Sequence, residues 1–222
     1  MTIGDFLAGL YWGTVIRFRR FRSRGRLPSF TAFGVMALRA THQLIDGEPK
    51  ILDDPIAPRL LGPRWTRRIL ARAGGSRDPR MVGLRSHIVT RSRYTEDRMA
   101  EAVARGATQV VVLGAGFDTF AFRQPPWAHS VRVFEVDRPE SQQAKRARLA
   151  RAGVVVPDNV SFVAIDFEHT SLADGLAQGG VRADQVTFFS WLGVLVYLDE
   201  AAVDAVLRTV AGFARGSEIV FT

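Results

Sequence analysis

Hydrophobic positions along the chain follow two rhythms. From Thr31 to Asp46 (TAFGVMALRATHQLID) they return every three or four residues, which predicts a helix. Asp53-Asp54-Pro55 then reads as a turn into a short helix carrying Ile56, Ala57, Leu60 and Leu61, with Asp54 as its cap and Gly62-Pro63 closing it. Residues 64–73 predict another short, basic helix; Gly74-Gly75-Ser76 and Asp78-Pro79 read as loop. A long helical segment runs from Leu84 to Arg105 and stops at Gly106, a C′ glycine.

Beyond Gly106 the rhythm changes. Within Gln109–Leu113 (QVVVL), Val110 to Leu113 form a continuous apolar run, β-branched at three positions, as suits a strand buried on both faces. Val131–Asp137 and Val160–Phe167 predict two more strands, Val186–Phe189 starts a fourth and Ile219–Phe221 a fifth. Between them lie helical stretches: Pro139–Gly153, Ser171–Gln178, and one capped by Asp199 and running to Arg215. Such alternation predicts an α/β fold, a doubly wound, Rossmann-like parallel sheet. The expected organisation is a helical N-terminal extension and cap over residues 1–106, and a cofactor-binding sheet domain over 107–222. The chain stops in its fifth strand, so the sheet is expected to be incomplete at the C-terminus, with an exposed edge.

Composition narrows the function. With no cysteine, disulfides and thiolate metal sites are excluded. The net charge is +8, carried by 28 Arg and only two Lys, Lys50 and Lys145. That bias reads as GC-rich coding, and without an RNA- or DNA-binding motif no nucleic-acid partner is expected. Residues 1–26 join an apolar stretch (Ile3 to Phe18) to a basic cluster (Arg17 to Arg26). The stretch is too short to span a bilayer, and its charges follow the apolar run rather than precede it as in a secretory leader. Packing against the domain, or a poorly ordered end, is the plain reading, with membrane-surface contact the alternative. The expected location is cytoplasmic.

Chemistry concentrates at the strand ends. Gly114-Ala115-Gly116 is a small-residue turn directly after the first strand, where the backbone can bend sharply and a ligand can approach. A dinucleotide fingerprint needs a third glycine, and Thr119 stands in its place. Asp118 beside the turn would repel a pyrophosphate, so the ligand is expected to present a positive group here. Asp137 lies 21 residues beyond Gly116 at the second strand's end, where a carboxylate can accept from both ribose hydroxyls. Glu135 shares its face, and one of the two acids serves as a salt-bridge partner, with Asp137 favoured for ribose. Asp166 closes the third strand, either as a cap or as acceptor of an adenine amine, with the Phe167 N–H facing a ring nitrogen. Together these suggest an adenosine ligand with a cationic tail, S-adenosylmethionine rather than NAD.

The blocks RSRYTEDRM, QVVVLGAGFDTFAFR, VFEVDRPESQQAKRARL, FVAIDF and FFSWLGVLVYL resemble the leucine carboxyl methyltransferase-like family, in its branch of actinobacterial S-adenosylmethionine-dependent methyltransferases, over about residues 30–222. The resemblance implies a class I methyltransferase fold and methyl transfer to a carboxylate or hydroxyl of a small molecule. It implies Gly114 and Gly116 at the methionyl part, Asp137 on the ribose, Asp166 and Phe167 beside adenine, and an arginine of the Arg91/Arg93 pair on the methionyl carboxylate. Carboxyl methyltransferase relatives carry a glutamate where this chain has Leu192 before Gly193, so that role does not transfer. His42, His87, His129 and His169 form no cluster, no metal-ligand spacing occurs, and Trp191 and Tyr197 read as core before acceptor pocket. No catalytic residue is assigned. An inactive, truncated cofactor-binding remnant or interaction protein and, behind it, an NAD-dependent oxidoreductase are the competing readings.

Overall fold

A computed structural model of the chain describes residues 30–72, 78–166 and 169–222. The expectations for the basic N-terminus, for Gly74-Gly75-Ser76 and for Phe167 lie outside the described residues. Four helices precede the sheet: α1 (Phe30–Ile45), α2 (Ile56–Leu61), α3 (Pro63–Ala71) and α4 (Pro79–Ala104). Asp54 caps α2 as expected, its Oδ1 accepting the Ala57 N–H at 3.0 Å. Helix α4 starts five residues before the expected Leu84, because Asp-Pro opens a helix as readily as it makes a loop. Asp78 accepts the Arg80 N–H at 2.9 Å, and Pro79 takes the first helical position, where its missing N–H costs nothing. Gly106, at φ 108°, ends the helix as predicted.

Five parallel strands follow: β1 (Gln109–Leu113), β2 (Arg132–Asp137), β3 (Val160–Ala164), β4 (Thr187–Trp191) and β5 (Glu218–Phe221). Their order is β3-β2-β1-β4-β5. This is the doubly wound, Rossmann-like sheet read from the sequence. Helix α5 (Pro139–Arg151) joins β2 to β3, α6 (Leu172–Gln178) joins β3 to β4, and α7 (Glu200–Ala211) joins β4 to β5. The β1–β2 connection departs from the alternation: it holds two 3₁₀ turns, Phe120–Phe122 and Pro126–Ser130. Pro125 and Pro126 lack the N–H groups an α-helix would use there. The Asn159 amide holds the segment's end, donating to the carbonyls of Ala128 (3.0 Å) and Val131 (2.8 Å).

Alternation along the strands sends side chains to two cores. Val110, Val112, Val133 and Phe188 pack with Met36 of α1, Leu60 of α2, Met99 of α4 and Leu149 of α5. Val111, Leu113, Phe134, Val136 and Phe189 pack on the other face with Leu176 of α6 and Val210 of α7. Every residue of β1 is therefore buried, as a central parallel strand requires. Burying Phe134 or Phe188 contributes on the order of 2 kcal/mol each. No helix among the described residues is long and apolar enough to cross a membrane.

Candidate functional site

Strand order reverses between β1 and β4, so a crevice is expected outside their carboxyl ends. The turn after β1 sits there. Gly114 and Gly116 adopt φ of 64° and 44°, conformations that cost a side-chain-bearing residue energy. The Gly116 N–H donates to Asp137 Oδ2 at 2.6 Å, and the Arg138 N–H to Oδ1 at 2.7 Å. Ala115 donates to the Val136 carbonyl at 3.0 Å, so the turn is fastened twice to the end of β2. The turn is also hemmed in from both sides. A Cβ on Gly114 would lie 2.5 Å from Val194 Cγ2, and one on Gly116 would lie 3.2 Å from Ala32 Cβ in α1.

Beneath the turn is a buried ionic network that sequence reading missed. Arg39, in the middle of α1, donates from Nη1 to Asp118 Oδ2 at 2.7 Å and from Nη2 to Thr119 Oγ1 at 2.9 Å. Its Nε lies 2.9 Å from Asp54 Oδ2. Thr119 donates to the same Asp54 oxygen at 2.8 Å and accepts from Arg123 Nε at 3.1 Å. Arg123 forks onto Glu96 of α4, with Nη1 2.9 Å from Oε2. Thr119 thus uses its hydroxyl as one donor and two acceptors, which accounts for a threonine where the dinucleotide fingerprint has glycine. The sequence signal was one arginine inside the apolar run of α1.

Burial alone would raise the Asp118 carboxyl; Arg39, Lys145 and Arg123 outweigh it and hold the group at about 2. Burial likewise opposes the charge of Arg39, yet Asp54, Asp118 and Glu96 raise its pKa above the ordinary arginine value. Asp118, expected to stand beside a positive group of the ligand, is met within the chain by Arg39. Glu135 is also an internal group. It is buried in β2 with Lys145 Nζ 2.7 Å from both its oxygens, and Lys145 lies 5.2 Å from the Phe122 ring centre. Burial pushes Glu135 up to about 7, against the pull of Lys145 and helped by the charges of Asp118 and Asp137. Of the two acids on β2, Asp137 alone reaches the turn.

The other expected residues separate in space. Arg91 reaches β4's end, where a Cβ on Gly193 would lie 2.8 Å from Nη2, and its Nη1 is 3.5 Å from Thr222 Oγ1. Arg93 pairs with Asp97 on the exposed surface at 2.8 Å. Two residues along a helix is about 200°, so Arg91 and Arg93 cannot serve one site together. Asp166 is exposed beyond β3, its Oδ2 2.8 Å from His169 Nδ1. Trp191 is buried in the core, as expected, beside the half-exposed Phe221. A cavity of about 10 Å³, the room of one water, lies among Ser92, Thr95, Glu96, Asp118, Ser190 and Leu192.

Residues 32–211 match the family model described as leucine carboxyl methyltransferase. The chain belongs to the leucine carboxyl methyltransferase family. Relatives within reach of direct sequence comparison carry provisional names as S-adenosyl-L-methionine-dependent methyltransferases. YktD of Bacillus subtilis is 39% identical over 134 residues, covering 60% of this chain and 44% of that protein. A Saccharopolyspora erythraea protein is 34% identical, covering 85% of this chain and 65% of its own length. SCO7813 of Streptomyces coelicolor is 31% identical, covering 86% and 68%. The chain thus spans about half to two thirds of the length of these relatives.

Proposed function

We propose that this member of the family binds S-adenosylmethionine at the Gly114–Gly116 turn and transfers its methyl group to an oxygen of a small molecule, a carboxylate or a hydroxyl. The observation that carries this reading is the Gly116–Asp137 contact at the point where strand order reverses. Two backbone N–H groups fix the Asp137 carboxylate there, and an ionised carboxylate has further lone pairs for the two ribose hydroxyls. Asp166 and Phe167 would stand by the adenine. Arg91, arriving from α4 beside Gly193, offers a planar fork to the methionyl carboxylate. Around the turn, the carboxylates of Asp54, Glu96, Asp118 and Asp137 outnumber the cations Arg39 and Arg123, while Glu135 and Lys145 answer each other. That surplus suits a sulfonium better than a pyrophosphate, and the names of the relatives agree with it. Val194, packed over Gly114, would have to give way as the cofactor enters.

The sulfonium supplies the leaving group, so the protein's task is to hold donor methyl and acceptor oxygen in line. An acceptor carboxylate is ionised at neutral pH and needs no base; a hydroxyl needs one. Calorimetric titration with S-adenosylhomocysteine, beside NAD, tests the pocket. Binding of the first alone, lost in Asp137→Ala and weakened in Arg91→Gln, is expected. A folded, monodisperse sample that binds neither overturns the reading. Transfer of labelled methyl to panels of carboxylic acids and alcohols then decides the acceptor.

A further inference from the structure

Arg39, Arg85, Arg93, Arg98, Arg105, Arg123, Arg182 and Arg208 each pair with a carboxylate. Arg59, Arg64, Arg67, Arg68, Arg148 and Arg151 meet no carboxylate among the described residues and belong to two adjoining elements. From residue 55 to residue 77 the chain has no Asp or Glu, and α3 presents Arg64, Arg67 and Arg68 on its solvent arc. Helix α5 adds Arg148 and Arg151. The two elements join: Arg59 donates to the carbonyls of Ala152 (2.9 Å) and Gly153 (3.2 Å), and Arg148 to the carbonyl of Leu60 (3.3 Å). Arg148 lies 5.2 Å from the Phe33 ring, Phe33 meets Trp65 of α3 edge to face at 5.5 Å, and Arg68 lies 5.7 Å from Trp65. Arg148 has its pKa lowered by burial and by the neighbouring Arg151 charge, as like charges crowded on one face require.

We propose that this face, α3 with the adjoining end of α5, docks on an anionic lipid surface. Two observations favour a bilayer over a nucleic acid. Apolar side chains are exposed among the arginines: Leu70, next to Arg67 on the helix, is 49% exposed, and Val155, two residues beyond the Gly153 carbonyl that holds Arg59, is 83% exposed. Such residues dip into the acyl boundary while arginines meet phosphates, the division of labour of an interfacial helix. The aromatic ring on this face, Trp65, is committed to Phe33 and offers no stacking platform for bases.

Flotation of the full chain with vesicles tests this. Binding to phosphatidylcholine vesicles containing about 30% phosphatidylglycerol is expected, with little on pure phosphatidylcholine and steep weakening at high salt. The triple variant Arg64→Gln/Arg67→Gln/Arg68→Gln should lose about a hundredfold in affinity at an unchanged urea midpoint. Arg182→Gln/Arg208→Gln, elsewhere on the surface, should change nothing, and Leu70→Ser with Val155→Ser should weaken binding without altering its salt dependence. No flotation by folded protein, equal flotation on both lipids, or an unaffected triple variant overturns the proposal. So does tighter binding to a DNA or RNA duplex that the same triple variant abolishes.

Discussion

Replacing Arg39 by Met keeps an apolar stem and removes the guanidinium. Three contacts go with it: Asp118 at 2.7 Å, Thr119 at 2.9 Å and Asp54 at 2.9 Å, all around a side chain that is 3% exposed. Two carboxylates then share a buried site, Asp54 with Arg123 3.5 Å away and Asp118 with only the charges of Lys145 and Arg123 to oppose its burial. Removing one partner of such a pair costs about 3–5 kcal/mol, a large part of the ~5–15 kcal/mol typical of a folded domain. Urea unfolding at pH 7 reads that loss. The pH dependence reads its cause. Asp118 has its native pKa depressed from 3.8 to about 2, so its contribution is present above pH 4 and lost as pH falls from about 4 toward 2. The amount is ~2 kcal/mol. In Arg39→Met the depression relaxes, so wild type and variant should converge on acidification. Arg39→Met/Asp118→Asn should lose at least about 1 kcal/mol less than the sum of the single variants. Parallel stability curves for wild type and Arg39→Met from pH 7 to 3, or additive losses, would refute the reasoning.

Lys145→Met should be tolerated at acid pH and damaging at alkaline pH. Native Glu135 holds its proton up to about 7, while the unfolded chain releases it near 4.5, so the native state binds more protons in between and stability falls as pH rises through that window. Without Lys145 the fall should extend to higher pH, read as a melting temperature far below wild type at pH 8 and close to it at pH 5. Gly175→Ala in α6 should destabilise by about 1–3 kcal/mol, although alanine is the better helix former, because the new Cβ would lie 2.5 Å from Ile165 Cδ1. Gly114→Ala should combine backbone strain of about 1–2 kcal/mol with a clash on Val194, lowering both the melting temperature and S-adenosylhomocysteine affinity. Arg93→Gln should leave that affinity unchanged, in contrast to Arg91→Gln, since Arg93 faces solvent with Asp97.

The strands, the sheet's parallel sense and the glycine turn were legible because periodicity and turn chemistry are local. Val110 to Leu113 read as a doubly covered strand, and the structure buries all four. One boundary was misread because its local pattern has two solutions: Asp78-Pro79 begins a helix as well as a loop. The ionic network was not legible, because residues 39, 54, 96, 118, 119 and 123 meet only after the helices dock on the sheet. Nothing in the spacing of Asp118 reveals that Arg39, 79 residues earlier, takes its charge. Glu135 and Asp137 share a strand face and differ only in depth. The clue for Glu135 was one of two lysines in a chain that otherwise uses arginine, placed ten residues on.

The order in which a ribosome delivers these elements sets a constraint of its own. Helices α1 to α4 leave the exit tunnel before any strand of the sheet they cover, so Met36, Leu60 and Met99 have no partner on that sheet until β1 follows. Even then the centre cannot close, since β1 pairs with β4, Gln109 opposite Thr187. Thr187 lies 78 positions beyond Gln109, and the chain between must emerge first. A nascent chain halted before β4 therefore exposes an apolar helical face and the open edge of β1 together, both substrates for chaperones and sites of aggregation. Synonymous changes that slow translation between β1 and β4 should lower the yield of this protein, while the same changes downstream of β4 should not.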